Sequence, residues 1–203
     1  HVVLLAERAK LKSLDYETIQ EALGEKHHMA PRLLAEYNKG AAFKAGDEIV
    51  VINVNAGNDA DADVVKAAAS IEIDKSERVL FVLDRERKPL AGFPISIGSR
   101  LDPLEIGQMK ITNEVKNPSF TYDPALLKRS PAKAEKVEVR PGPNNPVGNM
   151  WMGLSKPHWG IHGTPAPERV GHEETNGCIH LTNWDAARLS TLAKAGFAVE
   201  VKA

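Results

Sequence analysis

The spacing of apolar residues changes character along the chain. Between Tyr16 and Gly40, residues Ile19, Leu23, Leu33, Leu34 and Tyr37 are compatible with two short helices. Gly24 is placed to end or loosen the first, and Pro31 suits the first turn of the second, where its missing N–H costs nothing. Asn38-Lys-Gly40 is a stop signal, and Gly46-Asp47 makes a turn into Glu48–Val54, whose β-branched residues predict a short strand. Asn55–Ala69 is small, polar and acidic, and reads as a linker with a helical tail.

After the linker the period drops to two. Ile71 and Ile73 alternate with acidic residues, and Val79–Leu83 is a continuous apolar run. Asp84–Lys88 is a turn, and Leu90, Phe93, Ile95 and Ile97 lead to Gly98, which completes a β-meander. Prolines crowd between Pro118 and Pro167 and peak at Arg140–Pro146, which predicts long, functional loops over a β scaffold. Asp185–Ala195 supplies an amphipathic helix with Leu189 and Leu192 on one face, and Phe197–Val201 a last strand. The chain therefore divides into a small α+β unit over residues 1–54, a linker over 55–69, and a mainly β, sandwich-like domain with one or two helices over 70–203.

Composition narrows the function classes. With 26 basic and 27 acidic residues in 203, the net charge of -1 offers no field to neutralise phosphates, so no nucleic-acid partner is expected. No apolar run approaches the roughly 18–20 residues of a membrane-spanning helix. The opening HVVLLA is short, lacks a basic leader and does not read as a signal peptide. A single cysteine excludes an internal disulfide and any multi-cysteine metal centre, leaving a buried inert thiol or a nucleophile.

Four of the seven histidines and the cysteine fall between His158 and His180. Ile161-His162-Gly163 reads as the end of a strand, and Gly177-Cys178-Ile179-His180 as the entry to another. A glycine before the cysteine lets the backbone approach a substrate and turn N–H groups inward, as an oxyanion hole needs. A histidine within reach can take the thiol proton and create a reactive ion pair, with a lowered thiol pKa and alkylation that persists below neutral pH. A zinc site from His158, His162, His172, Cys178 and His180 is the other chemical reading; the absence of an HExxH helix and the turn around Pro157-His158-Trp159 count against it. His27 and His28 read as solvated surface.

Ile161–Thr164 (IHGT) followed by Thr175–Asp185 (TNGCIHLTNWD), with fifteen residues between His162 and Cys178, resembles the L,D-transpeptidase catalytic domain. The similarity extends over about Ser70–Ala203, through the hairpins of Ile71–Gly98 and through Pro141–Gly160. Residues Tyr16–Val54 resemble a LysM-like wall-binding unit, with Leu33-Leu34 and Asn38-Lys-Gly40 at its characteristic positions. In two places this chain departs from the family pattern: the usual arginine two after the cysteine is His180, and a common histidine two before it is Asn176.

The resemblance implies an exported bacterial enzyme of peptidoglycan cross-linking and cell shape, acting in the periplasm or wall. Cys178 would be the nucleophile that attacks a tetrapeptide stem, and His162 the general base. Gly177 and Cys178 would supply oxyanion N–H groups, and Thr175, or a carbonyl near it, would orient the imidazole. His180, Asn176, Trp159, Gly163 and Thr164 would line the substrate site. Partners would be stem peptides and, through the N-terminal unit, glycan; no metal or organic cofactor is called for. Carbapenems would acylate the cysteine. Two rival readings are a thiol hydrolase on the same stem and a wall-binding protein with impaired chemistry.

Overall fold

The computed structural model describes residues 2–54, 62–100, 103–123, 136–172, 174–175 and 177–203. The protein is mainly β. Antiparallel strands β1 (Ser70–Asp74), β2 (Val79–Leu83) and β3 (Pro89–Pro94) form the expected meander, and β4 (Ile97–Gly98) follows. The next strand, β5 (Gly107–Lys116), has little apolar signal: among GQMKITNEVK only Ile111 is buried. Short strands β6 (Phe120–Tyr122) and β7 (Val137–Val139) pair as a separate ribbon. Strands β8 (Met150–Leu154), β9 (Gly160–His162), β10 (Glu174–Thr175), β11 (Ile179–His180) and β12 (Ala198–Lys202) complete the set.

Eight strands join in the order β11-β9-β8-β5-β12-β1-β2-β3. Strand β5 belongs to both halves of this sheet. Its residues 107–110 pair with β12, and after an irregularity between Ile111 and Asn113 it pairs with β8. A bulge of this kind bends a strand, so the sheet curls, which accounts for the sandwich-like expectation. The core lies in the curl, with Ile71, Ile73, Leu80, Ile111, Met152, Ile161 and Ile179 all nearly inaccessible. Helix α5 (Asn183–Leu192) closes it with Leu189 and Leu192. That helix starts two residues earlier than expected because Thr182 caps it, its hydroxyl accepting from the Asp185 N–H at 3.0 Å.

The N-terminal residues form α1 (Val2–Arg8), α2 (Ile19–Lys26) and α3 (Pro31–Tyr37), the last with Pro31 in its first turn as predicted. Three expectations here are corrected. Helix α2 runs through Gly24 instead of ending there: a Cβ at that position would lie 2.6 Å from the Met29 carbonyl, so the glycine permits close packing. Ile19 and Tyr37 are exposed. His27 is partly buried, and His28, though exposed, packs its ring against Trp184 rather than standing free in solvent. Finally, no strand forms among residues 2–54, so the α+β reading gives way to helices followed by an extended segment. Its Val50 is held by one side chain: Asn38 Oδ1 accepts from the Val50 N–H at 2.6 Å, and Asn38 Nδ2 donates to the Val50 carbonyl at 2.8 Å. Of the linker, residues 55–61 lie outside the described residues, and its helical tail is α4 (Ala62–Ala67).

The proline-rich Arg140–Pro146 loop, expected to be functional, is a packed junction. Asn144 and Asn145 are buried, the Leu14 N–H donates to the Pro141 carbonyl at 2.9 Å, and the Asn144 N–H donates to the Leu14 carbonyl at 2.9 Å. Asn144 Nδ2 adds a bond to the Asp15 carbonyl at 3.0 Å.

Candidate active site

Strands β9 and β11 run parallel, with Ile161 opposite Ile179 and His162 opposite His180. Cys178 stands in the bend just before β11, next to the first paired residue Ile179 and two residues before His180. The segment holding the cysteine is anchored on both sides. Glu174–Thr175 pairs with Ile97–Gly98, and Ser96 and His180 exchange two backbone hydrogen bonds of 2.9 Å. Ser96 is itself fully buried, and its hydroxyl accepts from the Gly171 N–H at 3.0 Å.

Gly177 has φ +103, a conformation that only glycine adopts without strain, and the Trp159 ring lies 3.4 Å from where its Cβ would stand. Trp159 thus packs against the backbone just before the thiol, with Lys156 Nζ 3.8 Å from its ring centre. Cys178 is partly buried, and its Sγ lies 3.7 Å from the His158 carbonyl, at the long end for a thiol donor.

His162 is buried, and its Nδ1 lies 2.7 Å from the Gly163 carbonyl. A carbonyl only accepts, so Nδ1 carries the proton and Nε2 keeps the lone pair a base requires. The imidazole is flanked on both sides. The Trp151 ring stacks on it at 5.3 Å with a 19° tilt, and the His180 ring sits 4.3 Å away at 49°. Trp151 is opposite His162 across the β8–β9 pair, so three rings line up over three adjacent strands.

Several expected roles change. Thr175 does not orient the imidazole: its hydroxyl donates to the Cys178 carbonyl at 2.5 Å, and the orienting carbonyl belongs to Gly163. Gly163 and Thr164 are buried and do not line open space; Thr164 Oγ1 accepts from the Ala166 N–H at 3.3 Å, and Gly163 packs against Asn183. His180 lies beside the imidazole and is mostly covered. Asn176 lies outside the described residues. Among the described residues, no three His, Cys, Asp or Glu side chains converge to hold a metal ion, so the five zinc candidates are not assembled.

The resting electrostatics also differ from an ion pair. Burial pushes the Cys178 thiol up, partly offset by a hydrogen bond with the Gly160 backbone. Burial, and then the neighbouring charge of His180, hold His162 well below its usual range, and burial lowers His180 from 6.5 to about 4. Both trends favour a neutral thiol and a neutral imidazole at rest.

Trp151, Ser96 and Asn183 escaped the sequence reading. Asn183 Nδ2 donates to the Pro143 carbonyl at 3.0 Å, its Oδ1 accepts from the Asn149 N–H at 3.1 Å, and it packs tightly on Gly148 and Gly163. Trp151 was legible in principle, since a turn at Ser155–His158 places it opposite His162. A cleft of about 620 Å³ lies elsewhere, between the N-terminal helices and the loop after Thr164, lined by Glu25, His28, Pro31, Pro165 and Trp184 among others.

Residues 68–201 match the model of the YkuD family, the L,D-transpeptidase catalytic domain. A Fuscovulum blasticum protein assigned to the L,D-transpeptidases is 35% identical over 109 residues, which span 54% of this chain and 56% of that one. The YkuD protein of Bacillus licheniformis, similarly assigned, is 26% identical over 162 residues, 80% of this chain and 78% of the relative. In fold, the chain resembles L,D-transpeptidase 3 from Mycobacterium tuberculosis in complex with a faropenem-derived adduct, with TM-score 0.53 and 16% identity over 67% of this chain and 60% of that one. The chain thus spans less than two thirds of the Fuscovulum and mycobacterial proteins.

Proposed function

The chain belongs to the YkuD L,D-transpeptidase catalytic domain family, and on that premise we propose that it is a cysteine-dependent acyltransferase acting on peptidoglycan stem peptides. Cys178 Sγ attacks the carbonyl of the diamino-acid residue in a tetrapeptide stem while its proton passes to His162 Nε2. Backbone N–H groups of Gly177 and Cys178 stabilise the oxyanion. The tetrahedral adduct collapses, the C–N bond breaks, and D-alanine leaves with the proton returned by His162, so that a thioester remains. An amine of a second stem then attacks the thioester, gives a proton to His162, and releases the Cys178 thiol, which regains it.

The observation that carries this reading is the His162 tautomer, fixed by the Gly163 carbonyl with Nε2 left as the acceptor. The positive φ of Gly177 and the parallel register that puts Cys178 two residues before the His162–His180 level support it. Trp159, packed on Gly177, is the side chain best placed to contact the stem. The enzyme acts outside the cytoplasm, where its substrate is. Residues 1–54 add contact with glycan, a reading supported by Ile19, Tyr37, Val50 and Ile52, which they leave exposed.

Intact mass spectrometry with a tetrapeptide-stem fragment tests the function. The expected result is a thioester adduct with loss of D-alanine, discharged on adding an acceptor amine to a cross-linked product. Discharge to water alone makes the protein a thiol hydrolase, and absence of any adduct refutes acyl transfer.

A further inference from the structure

His180 has no stated role in the steps above, yet its ring lies directly against that of His162. The β9–β11 register puts its Cα opposite that of His162, and the rings stand 4.3 Å apart. On the other side, the indole of Trp151 is nearly parallel to the imidazole. Gly160, next along this face of β9, leaves the space that Trp151 fills: a Cβ there would lie 2.5 Å from its ring. His180 is fixed in turn by its two backbone bonds to Ser96. Among the described residues, Cys178 stands two residues before His180, and the neighbouring elements contribute Trp151 from β8 and Ser96 from the β4 side.

We propose that His180 is a positioning residue which, with Trp151, clamps the His162 ring from both sides so that its Nε2 stays presented as the proton acceptor. This rests on the reading of His162 as the general base. Two planar neighbours remove the rotational freedom that one hydrogen bond at Nδ1 would leave, and they displace water from both ring faces. Water exclusion keeps the imidazole neutral, and the second imidazole reinforces this as a like charge whenever it is protonated. A flat neutral ring serves here, whereas an arginine would place a permanent charge beside the base.

The test is a nitrogen-15 histidine NMR titration of the full chain as wild type, His180→Ala, His180→Phe and Trp151→Leu, alongside the pH profile of Cys178 acylation by imipenem. In wild type and His180→Phe, His162 should remain Nδ1-protonated and neutral well below pH 6.5. In His180→Ala and Trp151→Leu its midpoint should rise by about one pH unit, and the acylation rate should fall about tenfold with its acid limb moved the same way. Restoration by phenylalanine, which keeps the ring and removes the titration, separates clamping from charge. An unchanged His162 midpoint and tautomer in His180→Ala overturns the proposal. So does a change confined to the imipenem concentration for half-maximal rate, which marks a ligand contact. Should His180→Ala fail to fold, His180→Phe against Trp151→Leu makes the same comparison. If no variant, wild type included, is acylated while the NMR shifts follow expectation, the clamp stands and the transferase reading falls.

Discussion

In the curled sheet, apolar side chains from β1, β2, β5, β8, β9, β11 and α5 meet in one continuous core. In residues 2–54, the buried apolar side chains among those described are Leu14, Met29 and Leu34, whereas Leu11, Tyr16, Ile19, Tyr37, Val50 and Ile52 are exposed. One unit is stabilised by its own interior. The other leans on the Arg140–Pro146 junction and on His28, whose ring meets Trp184 edge-on at 3.8 Å. A core that small supplies little stability alone, so the helices should loosen first while the catalytic loops remain formed.

The sharpest way to break this contrast is to crowd each unit at a glycine. A Cβ at Gly163 would overlap Asn183 Oδ1, and one at Gly142, where φ is +148, would overlap the Leu14 carbonyl. Gly163→Ala should cost about 3 kcal/mol or more and abolish acylation by displacing the carbonyl that holds His162. Gly142→Ala should instead release the N-terminal helices, seen as rapid proteolysis between residues 9 and 61, while imipenem still acylates Cys178. Equal loss of acylation in both would show that the units are one cooperative body.

Core truncations should sort the same way with smaller effect. Leu189→Ala should lower global stability by about 2–5 kcal/mol. Leu34→Ala, although fully buried, should shift only an early, partial transition in thermal denaturation followed by circular dichroism.

Acid should act on the sheet through its two histidines. His180 falls from 6.5 to about 4 on folding, and His162 also falls. The unfolded chain therefore takes up these protons first as pH drops, so stability from both is full above pH 6.5 and falls as pH drops, for His180 until about 4. For His180 alone the loss is on the order of 2–3 kcal/mol. Urea unfolding at pH 7 and pH 4.5 checks this, and His180→Phe should flatten the difference. At rest, the raised thiol should make Cys178 react with iodoacetamide more slowly than a free thiol at pH 7, which replaces the activated thiolate expected from sequence. The smallest effect belongs to Tyr37→Ser: being exposed, it should change stability by no more than about 0.5 kcal/mol and weaken pull-down on insoluble peptidoglycan.

The contrast also explains what could be read in advance. Ile71, Ile73 and the run Val79–Leu83 declare a meander because one face of each strand is buried. Strand β5 does not, because its pairing comes from its neighbours β12 and β8 rather than from its own apolar residues. Glu48–Val54 looked like a strand by composition, but Asn38 occupies both backbone groups of Val50. In the site, Gly177-Cys178 and His162-Gly163 could be singled out because a thiol after a glycine and a histidine at a strand end form the pattern that the proposed thiol chemistry would use. The Thr175 hydroxyl was misread because spacing does not reveal which of two nearby groups it reaches. The Trp151–His162–His180 stack depends on lateral strand order, which no single segment encodes.

Acylation of Cys178 should depend on His162 more than on any other side chain. Stopped-flow mixing with a tetrapeptide stem, followed by quench and intact mass, gives the rate of adduct formation on wild type, Cys178→Ala and His162→Ala. The expected outcome is no adduct on Cys178→Ala and a rate about 10²–10⁴-fold lower on a folded His162→Ala. A folded His162→Ala that acylates at the wild-type rate would contradict the account and transfer the role of base to His180.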